Sequence, residues 1–200
     1  MRKSSLLHHK PGEITITCLT IATLVSIFVI FTFGCGKDKS SAENIRKVNS
    51  EDLLKVNKYL VEKDQTRIKN YVGRHQYSMQ VTPSGLWYQI LDHGPGKLPA
   101  MKASKGLYAL IWYRSSLLDG TPCYSSEESG PKQFLIGQGS VESGLDEGIQ
   151  LLQAGDSVRL IIPPHLGYGL TGDQGRIPGR SILFYELRLL HLGKEPVQLK

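Results

Sequence analysis

The sequence predicts an α+β fold for residues 82–192: several antiparallel strands with a single short helix lying across them. Three observations predict it. Segments that alternate apolar and polar residues, the period of a half-buried strand, recur from Leu86 to Leu192 between clusters of Gly, Pro and Asp. Among them, Leu145, Ile149 and Leu152 fall at i, i+4 and i+7, which is one face of a helix. Directly after it, Val158, Leu160 and Ile162 alternate with Ser157, Arg159 and Ile161 until Pro163-Pro164 removes two backbone donors and ends the strand.

Taken in order, the chain begins with Arg2, Lys3 and Lys10 and then runs through residues 14–33 with neither a charge nor a proline. That is an export segment, residues 1–34, whose basic end stays inside while the remainder crosses. Thr32-Phe33-Gly34-Cys35 resembles the lipobox of bacterial lipoproteins, with Thr32 where Leu is usual and Phe33 where a small residue is usual. The resemblance implies lipidation of Cys35, an envelope location and a globular part on the exported side. A retained transmembrane anchor and a cleaved soluble form stay open, because twenty apolar residues also span a bilayer. Residues 35–49 are polar and Ser-containing, the composition of a tether.

In residues 50–81, Glu51 and Asp52 lie in a first helical turn, and Leu53, Val56, Leu60, Ile68, Tyr71 and Val72 form an amphipathic stripe ending near Gly73. Lys63 and Asp64 interrupt it, so the helix is expected to pack on its own domain, with dimerisation the less favoured outcome. Residues 81–85 form a turn, 86–91 a strand, 93–96 a turn, 106–114 a second strand, 118–122 a hairpin turn and 125–131 a polar loop. Residues 134–136 are a short strand closed by Gly137 and Gly139. In the helix that follows, Ser143 is expected to cap with Asp146 three residues on, and Gly155 marks its end. Residues 182–192 make the last strand, and 193–200 are a tail.

Composition excludes several function classes. The chain has 200 residues and a formal charge of +6, of which +4 remains from Cys35 onward, with basic and acidic residues interspersed. No basic stripe marks a nucleic-acid footprint. Cys123 is the one cysteine beyond Cys35, and it reads as a small buried side chain in a turn. The histidines lack metal-ligand spacing, so no metal and no cofactor is expected. Gly137-Gln138-Gly139 imitates a dinucleotide fingerprint, but the next glycines are Gly144 and Gly148, and no Gly-Lys-Ser/Thr completes a phosphate loop.

TPSGLWYQIL with Gly94-Pro95-Gly96, LLDGTPCYSS, PKQFLIG, GLDEGIQLLQAGDSVRLIIPPHLGYG and IPGRSILFYELRLLHL follow one another from Thr82 onward. In that order they resemble the FKBP-type peptidyl-prolyl cis-trans isomerases. The resemblance implies a five- or six-stranded antiparallel half-barrel wrapped around the short helix, with a proline pocket between them. It further implies that Tyr113, Tyr168, Ile177 and Tyr185 are the catalytic lining. Tyr168 would offer its hydroxyl to a substrate carbonyl, and Val141 and Glu142 would present backbone at the pocket edge. Tyr124, Lys132 and Leu145 complete the substrate-binding set.

Departures from the family pattern concentrate in that pocket. Cys123-Tyr124 stands where Phe-Asp is usual, Lys132 where an aromatic is usual, Glu142 for Ile, Leu145 for the Trp floor and Tyr185 for Phe. At about 25 cal/mol per Å², the lost aromatic area is worth several kcal/mol of ligand burial, so the pocket is expected to be wider, wetter and weaker. The implied partners are proline-containing segments of exported polypeptides and, through Cys35, the membrane. Three functions remain: a weak isomerase, a peptide-binding or chaperone module on the same fold, and a scaffold.

Overall fold

A ten-residue strand, Tyr108–Leu117, organises the sheet, and the period-2 pattern of residues 106–114 overlaps its first seven residues. The structure, a computed structural model, describes residues 50–94 and 101–198. The export segment, Cys35, the tether, Pro95 and Gly96 of the predicted turn, and the last two residues of the tail lie outside the described residues. The elements are α1 Ser50–Arg74, β1 Gln80–Val81, β2 Trp87–Asp92, β3 Tyr108–Leu117, β4 Pro122–Ser125, α2 Ser126–Ser129, β5 Lys132–Leu135, α3 Ser143–Gln150, β6 Ser157–Ile162, a 3-10 turn Pro164–Leu166, and β7 Leu183–Gly193. Among the described residues no helix is long and apolar enough to cross a membrane.

Every strand pairing is antiparallel, in the spatial order β1-β2-β6-β7-β3-β4 with β5 also beside β3. Strand β3 pairs along one edge with β7 over its whole length. Its other edge is shared, Tyr108 to Ile111 pairing with β5 and Arg114 to Ser116 with β4. The expected half-barrel is therefore present, with seven strands rather than five or six. The two-residue β1 accounts for the difference, since Gln80 and Val81 pair with Tyr88 and Trp87 across the Pro83-Ser84-Gly85 turn. The stretch expected as polar loop after Ser125 holds the single-turn helix α2.

The concave face holds the main core. Leu145, Ile149 and Leu152 are fully buried and join Val158, Leu160 and Leu187 in one cluster. Helix α3 lies very close to the sheet, because a Cβ on Gly148 would stand 2.6 Å from Leu160 Cδ1. One on Gly144 would stand 2.6 Å from Ile162 Cγ2 and 3.1 Å from the Leu166 carbonyl oxygen. The sequence expectation for the start of this helix is corrected: Glu142, not Ser143, occupies the cap position, and it makes no side-chain cap bond. Ser143 Oγ instead donates to the Leu166 carbonyl at 3.2 Å, and Asp146 Oδ1 accepts the Gly137 N–H at 2.8 Å. The short polar side chains at this helix start thus tie it to the flanking loops.

A second cluster covers the opposite face. Ile68 and Val72, from the C-terminal half of α1, pack with Ile161 and Ile182 beneath Tyr71, Tyr77, Trp87 and Phe184. This explains why Ile161 is apolar although its neighbours in the alternation, Ser157 and Arg159, are not: strand β6 is buried on both faces at that point. Gln65 secures the helix further, accepting from Trp87 Nε1 at 2.6 Å and donating to the Gly85 carbonyl at 2.9 Å. The N-terminal half of α1 leaves Leu53, Leu54, Val56 and Tyr59 exposed.

Because the close approach leaves no room for a methyl group, Gly144→Ala is expected to destabilise the domain by about 1–3 kcal/mol, the scale of overpacking. Intrinsic propensity points the other way, Ala being the better helix former by about 1 kcal/mol. Urea unfolding gives the sign, and an unchanged or higher midpoint would show that the helix does not rest on its glycines.

Candidate functional site

The sequence-predicted lining residues come from strands β3, β4, β5 and β7, helix α3 and the loops between them, and the fold brings them together. In the β3–β7 register Tyr113 lies opposite Leu187 and Ser115 opposite Tyr185, so Tyr113 and Tyr185 are diagonal neighbours on the same face. Their rings lie 6.0 Å apart between centroids and nearly parallel. Ile177 comes from the loop before β7 and Leu145 from the first turn of α3. All four are buried in the concave cluster, with Val141, Tyr168 and Tyr124 half-buried against it. Lys132 Nζ stands 6.0 Å above the Tyr113 ring, within cation–π range.

Glu142 departs from the sequence expectation. It was expected to present only its backbone at the edge of a widened, wetter pocket. Instead its side chain is 9% exposed, and Tyr185 Oη donates to its Oε1 at 2.7 Å. Its other oxygen, Oε2, is buried without a hydrogen-bond partner. Where the resembled family has Ile and Phe, this chain has a carboxylate and a phenol joined by that hydrogen bond. Burial, followed by the Glu142 charge, pushes the Tyr185 phenol well up. Burial and then the neighbouring Glu142 carboxylate push the Tyr168 phenol up as well. Both tyrosines therefore remain neutral hydrogen-bond donors across the physiological range.

The mouth of the site is held by a residue the sequence reading missed. Asp173 Oδ1 accepts the N–H groups of Gly175 and Ile177, each at 2.8 Å, and Oδ2 accepts the Tyr124 hydroxyl. These bonds, the Tyr124 one foremost, hold the Asp173 carboxyl below its ordinary range. Tyr124, predicted to meet substrate, thus commits its hydroxyl to the loop. Arg176 lies 5.4 Å over the Tyr124 ring and donates to the Cys123 carbonyl at 2.8 Å and to Glu128 at 2.6 Å. The signal available was local: Asp173 followed two residues on by Gly175 is an Asx-turn pattern. Cys123 is fully buried and its thiol is pushed up by burial, which fits a packing role rather than a nucleophile. Among the described residues no group of three or more His, Cys, Asp or Glu is placed to hold a metal ion.

Chemically, the arrangement offers an apolar aromatic wall, a half-exposed neutral phenol at Tyr168 and no activated nucleophile. Comparison with known proteins agrees with that chemistry. A family model described as FKBP-type peptidyl-prolyl cis-trans isomerase matches residues 100–190. The peptidyl-prolyl cis-trans isomerase FKBP9 of Homo sapiens is 40% identical over 91 residues, covering 45% of this chain and 16% of that one. The FKBP-type isomerase FkpA of Aeromonas hydrophila is 32% identical over 174 residues, which is 82% of this chain and 62% of the relative. Among solved structures, AtFKBP13 superposes with a TM-score of 0.52 at 31% identity, covering 57% of this chain and 98% of that one. The chain thus spans only part of the length of the curated relatives it matches.

The Glu142–Tyr185 bond makes a double-mutant test direct. Glu142→Ile alone strands a buried hydroxyl, a loss of about 1–3 kcal/mol, and Tyr185→Phe alone leaves a buried carboxylate with neither oxygen satisfied, which is worse. The double variant is expected to unfold closer to wild type than either single variant does. Strictly additive losses in thermal or urea unfolding would show that the two side chains do not depend on each other.

Proposed function

Because the chain belongs to the FKBP-type peptidyl-prolyl cis-trans isomerase family, we propose that residues 82–192 catalyse cis-trans isomerisation of X-Pro bonds in exported polypeptides, at an attenuated rate. The observation that carries this reading is the convergence of buried Tyr113, Ile177, Tyr185 and Leu145 around half-exposed Tyr168. Rotation about the imide C–N bond is opposed by a barrier of about 18–20 kcal/mol, because resonance gives that bond partial double-bond character. The planar amide is the more charge-separated form. An apolar wall that displaces water from the proline ring and its carbonyl therefore disfavours the ground state relative to the twisted transition state. The Tyr168 phenol, kept neutral by its surroundings, donates a hydrogen bond that fixes the substrate carbonyl in place.

Attenuation follows from what the wall contains. Leu145 covers less area than an aromatic floor, and the Glu142 carboxylate adds a charge to a surface whose work is desolvation. The preferred substrates carry a bulky apolar residue before proline. A protease-coupled isomerisation assay on such peptides is expected to show a measurable but modest acceleration. Tyr168→Phe is expected to reduce it by about 0.5–1.5 kcal/mol of transition-state stabilisation, the value of one ordinary hydrogen bond. If wild type does not exceed the uncatalysed rate, the fold serves as a peptide-binding module instead.

The same reading places the domain in the cell envelope, held to a membrane through Cys35 at the end of the uncharged segment 14–33. One acyl chain gives only marginal attachment, so stable anchoring needs the multiply acylated cysteine of a lipoprotein. Cys35→Ala is expected to abolish labelling by a clickable fatty acid and to release the protein from the membrane fraction. Retention of the variant in that fraction would favour an uncleaved anchor.

A further inference from the structure

The loop of residues 163–182 carries Tyr168 and Ile177; its last residue, Ile182, packs with Ile68 and Val72 of helix α1, and ahead of it one charged contact joins loop to helix. Asp64, which interrupts the apolar stripe of that helix, is only 4% exposed. Arg180 Nη2 donates to its Oδ2 at 2.8 Å, while Arg67 from the same helix stands 3.8 Å from Oδ1. Arg180 is half-buried and has φ +59°, a left-handed conformation that residues with a Cβ seldom adopt. Its backbone N–H donates at 2.8 Å to the carbonyl of Gly169, the residue after Tyr168. The bonds from Gly172 N–H to the Tyr168 carbonyl, 3.2 Å, and from Asp173 N–H to the Ile177 carbonyl, 3.1 Å, continue the same cross-link. The two limbs of the loop therefore join at Arg180, and the side chain of Arg180 is fastened to the helix. Beside this contact a shallow crevice of about 120 Å³ separates Leu60 and Val61 from Pro164 and Leu170, so the ion pair rather than apolar packing ties loop to helix here.

We propose that Asp64 is a positioning residue for the isomerase site, acting through Arg180 to fix the loop that presents Tyr168 and Ile177. A non-glycine residue stays in a left-handed conformation where its surroundings over-determine it, and the buried carboxylate supplies that determinant. Once Asp64 is neutralised, Arg180 loses its reason to hold this backbone, and the Gly169 and Tyr168 limb loosens with it. Catalysis by orientation is sensitive to such loosening, because a displacement of about 1 Å in a positioned group can cost about 100-fold in rate. The helix thereby acts on the site from the opposite side of the sheet. This inference rests on the isomerase reading above.

Asp64→Asn keeps the size of the side chain and removes its charge. It is expected to lower kcat/KM by about 10-fold, through kcat more than KM, because the loop is displaced rather than the apolar wall. Hydrogen exchange at the Gly172, Asp173 and Arg180 amides is expected to accelerate. Gln65→Ala, which removes the same helix's hydrogen bonds to Trp87 and Gly85 and none to the loop, is expected to lower the denaturation midpoint and leave both readouts unchanged. If Asp64→Asn does not fold, Arg180→Gln reads the same pair from the loop side. The proposal is overturned if Asp64→Asn keeps both readouts within about twofold of wild type, or if Gln65→Ala reproduces both changes. A wild-type protein with no isomerase activity would sink the isomerase reading itself, and the exchange rates would then decide alone whether Asp64 holds the loop.

Discussion

The separation between helix α3 and the sheet governs the rest of the domain, and two glycines set it. With Gly144 and Gly148 facing Ile162 and Leu160, the helix axis comes as near the sheet as backbone and side chain permit. Everything at the start of that helix inherits its position from this contact. Leu145 drops into the core rather than standing at its rim, Val141 and Glu142 are carried to the edge of the concave face, and Ser143 reaches the Leu166 carbonyl. A helix one side-chain layer further out would leave Glu142 beyond the 2.7 Å that joins it to Tyr185. Packing at one helix face thus decides the chemistry of the pocket.

The site has two mechanical halves. Tyr113 and Tyr185 stand on paired central strands, where backbone ladders and ring stacking fix them. Tyr168 and Ile177 ride on a long loop that carries a single 3-10 turn, and its shape is maintained by polar groups. Asp173 gathers two backbone amides and a phenol, His165 contacts the Ser84 carbonyl at 2.9 Å, and Arg180 reaches the outer helix. Loops opened by substrate are commonly held in this way, since each polar contact can exchange with water where an apolar plug cannot.

The strands and the short helix were legible in the sequence because their signal is periodic and local. Val158, Leu160 and Ile162 announce a buried face whatever lies opposite, and Leu145, Ile149 and Leu152 do the same for the helix. The polar couplings were not legible. Asp64 read only as a flaw in a stripe because its partner Arg180 lies 116 residues away. Glu142 read as a rim residue because its acceptor role depends on a phenol 43 residues further on. Ile161 read as part of the exposed face of β6 because nothing in its own strand reveals that α1 returns to cover it. The resemblance to a known family named the candidate site residues, while the side chains that differ from its pattern found partners only the fold discloses.

The way β3 shares one edge between two short strands bears on the molecule's conduct among unfolded chains. An open sheet invites any extended polypeptide to add itself as another strand, through the row of unpaired amides and carbonyls at its border. Here the borders are β1, two residues long, the last four residues of β2 beyond it, and the four-residue β4 and β5. None is long enough to template an added strand, and the ten-residue β3 is enclosed by β7 on one side and by β4 and β5 on the other. Edges this short give a neighbouring extended chain little to pair with.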